Sequence, residues 1–180
     1  MVPSPLELSV PPTSVAEVVP ETILGLPAHP LIVHAPVVLV PLATIGALLA
    51  LLWARSRNWS LPVTAVLALG GLVGVQLAMW SGENLESSGE HSALIEHHSE
   101  LAAQARPIVL LFAVLAGLAA WAGITSARGR DIARRLLLPL CALSLLSGAL
   151  ATTWIGRTGH TGAKSVWSDE RGGSKDDGGT

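Results

Sequence analysis

The chain has 180 residues, of which 50% are hydrophobic and 13% charged, and its net charge is −2. A soluble domain of this size carries about twice that share of charged residues, and the near-neutral balance offers no basic face for nucleic acid. Its one cysteine, Cys141, excludes a disulfide within the chain.

The first 28 residues are rich in proline and contain no lysine or arginine. A secretory signal opens with basic residues and a compact apolar stretch, so this segment reads as a mobile extracytoplasmic tail. Four uncharged apolar runs follow: 31–53, 61–80, 107–126 and 136–155. Each is close to the roughly 20 residues that a helix needs to cross a hydrocarbon core. Backbone at that depth must satisfy its own hydrogen bonds, and the alternation of a barrel strand is absent, so helices are expected. The segment between spans two and three should contain a helix from about Gly89 into Pro107. The glycine-rich, charged stretch 168–180 reads as disordered.

The connections are charged asymmetrically. Arg55 and Arg57 lie between spans one and two, and Arg128, Arg130, Arg134 and Arg135 lie between spans three and four, opposed by Asp131. Glu7, Glu17 and Glu21 precede span one, and Glu83, Glu86, Glu90, Glu96 and Glu100 fall between spans two and three. The positive-inside rule places the loops 54–60 and 127–135 in the cytoplasm, and both termini and the 81–106 loop outside. Trp53 and Trp59 then fall near the inner interface, and Trp80 and Trp154 near the outer one. The expected fold is all-α: a polytopic four-helix up-and-down bundle with both termini outside. Small residues at Gly70, Gly74 and Ala78, at Ala113 and Gly117, and at Ser144, Gly148 and Thr152 offer stripes for close helix contact. Pro36 and Pro41 should bend or loosen span one.

On this topology all six histidines gather at one face. His29 and His34 open span one, His91, His97 and His98 precede span three, and His160 follows span four. His29 and His34 are five apart across Pro30 and need not share a helix face. Three readings are open. The imidazoles could be axial ligands of a haem b. With Glu83, Glu90, Glu96 or Glu100 they could bind zinc or copper. They could instead be interfacial polar groups that bond one another and the helix ends. No HExxH, paired CxxC or P-loop pattern is present, and uncharged spans argue against an ion-coupled transporter.

The segment Gly25-Leu26-Pro27-Ala28-His29-Pro30-Leu31-Ile32-Val33-His34-Ala35-Pro36 resembles the opening of a bacterial membrane family known as domain of unknown function 2231. Ser81-Gly82-Glu83-Asn84-Leu85-Glu86 with His98-Ser99-Glu100-Leu101, and Gly159-His160-Thr161-Gly162-Ala163-Lys164 ending at Val166-Trp167, look similar to it too. The resemblance implies a four-helix membrane domain, joined in some related proteins to redox modules such as Rieske-type domains. It implies no established activity. It picks out His29, His34, His98 and His160.

The functional expectation is a plasma-membrane bundle in which these four histidines bind a haem or a metal ion. His34, His98 and His160 with Glu83 and Glu100 are the metal set, and electron transfer or metal handling would follow. The redox partner is expected to be a separate protein, and a homo-oligomer is compatible with the small-residue stripes. The alternative is a non-catalytic membrane scaffold or assembly partner with structural histidines. A metal-dependent intramembrane hydrolase would need an open coordination position.

Overall fold

The computed structural model describes residues 22–88 and 93–173. The chain enters through a minimal antiparallel pair, β1 (Thr22–Ile23) and β2 (Leu26–Pro27). Leu24 and Gly25 turn it, both at positive φ, the backbone that a two-residue hairpin loop requires. Four helices follow: α1 (Ala28–Leu52), α2 (Arg57–Ser88), α3 (Ala93–Ala127) and α4 (Asp131–Gly173). All four are long and apolar enough to cross a membrane. The protein is therefore all-α and multi-pass, with helices in contact with lipid.

The helices outrun the spans read from hydropathy. A helix continues for as long as each added residue gains a backbone bond, so it does not end where polarity rises. The helix expected from Gly89 and the span from Pro107 form one element, α3, which passes through Pro107. Likewise α1 is continuous through Pro36 and Pro41. Helix α4 extends to Gly173, past the point where disorder was expected, whereas 1–21 and 174–180 lie outside the described residues.

Helix ends are closed by named groups. After α1, a 3-10 turn at Ala54–Ser56 lets Ser56 Oγ donate to the carbonyls of Leu49 and Trp53, at 2.9 and 2.8 Å. Arg57 Nε donates to Ala50 O at 2.8 Å. These contacts satisfy carbonyls that a helix C-terminus leaves open. At the end of α3, Arg130 N bonds Thr125 O and Gly129 N bonds Ser126 O, with Gly129 at φ +84°. That is a Schellman motif, and its left-handed position suits glycine. Asp131 then opens α4, where a carboxylate favours the positive end of the helix dipole.

The interior is narrow. Its largest fully buried side chains include Phe112, Val40 and Val109, and alanines at 43, 47, 50, 68, 116, 119, 122 and 151 fill much of the rest. Large apolar side chains such as Val66, Leu69 and Leu146 lie outside, as expected when the surrounding solvent is hydrocarbon. Close approach of backbones holds such a bundle together. Gly74 receives the Pro36 ring, Gly71 receives Val40, and Gly148 receives Phe112 and Thr44. Gly117 has nothing within 4 Å and closes no contact. Thr44 Oγ1 and Thr152 Oγ1 lie 3.0 Å apart and link α1 to α4.

The two hairpins repeat one plan. In the first, Val40 of α1 seats on Gly71 of α2 and His29 on Gly82. In the second, Phe112 of α3 seats on Gly148 of α4 and His98 on Gly162. As one helix is read back toward its start, its partner is read forward, so each hairpin is antiparallel. His29 is 11 residues from Val40 and Gly82 is 11 from Gly71; in the second hairpin both intervals are 14. The two seats thus lie about one turn further apart along each arm of the second hairpin. Leu61-Pro62 and Leu138-Pro139 precede the seated glycines by the same interval.

Candidate functional site

The histidine end of the bundle is formed by the start of α1, the end of α2, the start of α3 and the last turns of α4. His29 leaves the first turn of α1 and is half-buried. Its Nδ1 lies 3.1 Å from Ala78 O and 2.9 Å from Ser81 Oγ, both on α2. A carbonyl only accepts, and the Ser81 hydroxyl donates to that same carbonyl at 3.0 Å. Nδ1 must therefore carry the proton, which leaves Nε2 with the lone pair.

His98 repeats the arrangement across the other hairpin. Its Nδ1 lies 3.3 Å from Thr161 Oγ1, whose hydroxyl donates to Thr158 O at 2.8 Å. Nδ1–H donates again, and Nε2 again holds the lone pair. Both rings lie flush against glycine: a Cβ at Gly82 would sit 3.3 Å from His29 Cε1, and one at Gly162 would sit 2.9 Å from His98 Cε1. Both imidazoles lie at the same end of the bundle, His29 at the start of α1 and His98 near the start of α3. Nδ1–H bound to a carbonyl or hydroxyl is the arrangement that orients a histidine for coordination through Nε2.

The other residues singled out by sequence are not drawn into this pair. His34 is exposed on α1, and its Nδ1–H donates back to Pro30 O, one turn earlier on the same helix. His160 is exposed on α4, and Glu83 is exposed on α2. Glu100 is 3.9 Å from His97 Nδ1 on the same face of α3, with both side chains more than half exposed. Such a pair contributes little to stability. Among the described residues no three of His, Cys, Asp and Glu come together in a way that could hold a metal ion. The set His34, His98, His160, Glu83 and Glu100 is therefore not assembled. His91 and Glu90 lie outside the described residues.

The family model described as "Predicted membrane protein (DUF2231)" matches residues 25–175. The chain belongs to this family. The match takes in all four helices and both clasped histidines of this DUF2231 member, together with Ser81, Gly82, Thr161 and Gly162. No curated protein and no solved structure matches the chain.

In the sequence Ser81-Gly82 and Thr161-Gly162 are small-residue pairs with no metal-ligand chemistry of their own. In the DUF2231 bundle each hydroxyl fixes a tautomer, and each glycine gives an imidazole room against the neighbouring helix. The usable signal was a hydroxyl-glycine dipeptide near the end of each second arm. Trp154 also went unassigned beyond its interfacial place. Its Nε1–H donates to Leu101 O at 3.2 Å, and Arg157 stacks 5.3 Å from its ring centroid.

Proposed function

We propose that this membrane protein presents a two-imidazole site, His29 and His98, for a haem iron or a copper ion, and that the site serves electron transfer or metal handling. The observation that carries this reading is the matched pair of Nδ1–H anchors, which leave two Nε2 lone pairs at one end of the bundle. Two neutral imidazoles could hold a haem iron or a copper ion through their Nε2 atoms. They do not supply the four donors of a structural zinc site. The arginine-rich loops support an orientation in the plasma membrane with the histidine end outside.

The test is the visible absorption of detergent-purified protein before and after dithionite, with bound metals measured on the same sample. A haem band or stoichiometric copper supports the reading, and the absence of both overturns it. A second reading has its own observation. The imidazole bonds described here cross from one arm of a hairpin to the other, as braces in a non-catalytic scaffold would. For that reading, metal-free protein should lose thermal stability in both His29→Ala and His98→Ala.

A further inference from the structure

The opposite end of the bundle concentrates cations. Arg128 and Arg130 flank the Gly129 turn, Arg134 and Arg135 lie on the first turns of α4, and Arg55 lies in the α1–α2 connection. All five are exposed. Arg57 is already engaged by the carbonyls of Ala50 and Leu51. Asp131 is the acidic residue in these two connections. Among the described residues, no ion pair involves an arginine of this end. The Schellman reversal at Gly129 keeps the loop short, so these guanidiniums stand within a turn or two of the apolar helix surface. Trp53 and Trp59 are exposed at the same end, and Ile132 is 73% exposed beside the arginines. Exposed indoles mark the depth of lipid headgroups.

We propose that Arg128, Arg130, Arg134 and Arg135, with Arg55 in the other connection at the same end, form a binding surface for anionic phospholipid. The ligand is the phosphodiester headgroup, and acyl chains lie along the exposed apolar faces of α3 and α4. Guanidinium is planar and weakly hydrated and binds phosphate oxygens two at a time. Hydrocarbon beneath the loop holds the lipid so that its phosphate meets these groups. This inference does not depend on what the histidine end binds.

The full chain in phosphatidylcholine bilayers, probed with spin-labelled phosphatidylglycerol and spin-labelled phosphatidylcholine, gives the relative association of each lipid. The wild type should select the anionic lipid, and each arginine removed should lower that preference by roughly fivefold until it vanishes. The fourfold variant R128Q/R130Q/R134Q/R135Q should show none, whereas the same four positions as lysine should keep part of it. Arg106→Gln and Arg157→Gln, at the histidine end, should leave it intact. High salt should weaken the wild-type preference by shortening the screening length. Millimolar inorganic phosphate at constant ionic strength should not displace the lipid; displacement would point to a soluble phosphate ligand and overturn the proposal. So would an unselective wild type, or undiminished preference in the fourfold variant. If that variant does not fold by circular dichroism, the pairs R128Q/R130Q and R134Q/R135Q and the salt response give the same decision.

Discussion

Replacing Gly46 with alanine tests helix approach in the middle of the bundle. A methyl at Gly46 would overlap Thr64 Oγ1 on α2. Thr64 cannot yield easily: it is 1% exposed, and a β-branched side chain in a helix has few χ1 wells. The hairpin must open instead, and overpacking of this kind costs about 1–3 kcal/mol. The substitution also gains up to about 1 kcal/mol of helix propensity. The net expectation is a loss of up to about 3 kcal/mol, combining those two terms. Gly117→Ala gains the same propensity but meets nothing within 4 Å, so it should be neutral or more stable. The chemical change is identical, and its difference reads packing alone. Unfolding in detergent, followed by helical circular dichroism, should place Gly46→Ala below the wild type and Gly117→Ala at or above it. Equal stability of the two variants, or the reverse order, would refute the close α1–α2 contact.

Further outcomes follow from named contacts. Trp154→Phe keeps the ring bulk but removes the Nε1–H bond to Leu101 O, and should lower stability by about 1 kcal/mol; thermal unfolding measures it. Thr152→Val breaks the link to Thr44 and should cost about 0.6 kcal/mol, the usual value for a hydrogen bond between membrane helices. Adding Thr44→Val should cost less than the sum of the two single changes, because both act on one bond. In a Cys141→Ser background, Glu83→Cys should react with an impermeant maleimide in intact cells, and Arg128→Cys only after lysis; the opposite pattern would invert the orientation.

The helices were legible because uncharged apolar runs of spanning length have few other readings. The resemblance takes His29, His34, His98 and His160 together, whereas helical phase tells some of them apart. Eighteen residues make about five turns, so residues 18 apart share a face. His29 falls above Ala47, which is 1% exposed, and His98 above Ala116, also 1% exposed. His34 falls above Leu52, which is 75% exposed. Phase along each helix therefore separates the two inward histidines from His34. Phase does not say which hydroxyl meets which imidazole, since that depends on the stagger between arms. The stagger is set by contacts such as Val40 on Gly71 and Phe112 on Gly148, far from the histidines in sequence. Glu100 is two residues from His98 along the chain, but its angular position pairs it with His97.

The most direct test of the account is the haem and metal content of five purified proteins: the wild type and the single alanine variants of His29, His34, His98 and His160. The two-imidazole site predicts a bound haem or copper ion in the wild type, kept in His34→Ala and His160→Ala and lost in His29→Ala and His98→Ala. Loss that follows His34 or His160 instead, or a wild type that carries neither haem nor copper, would contradict it.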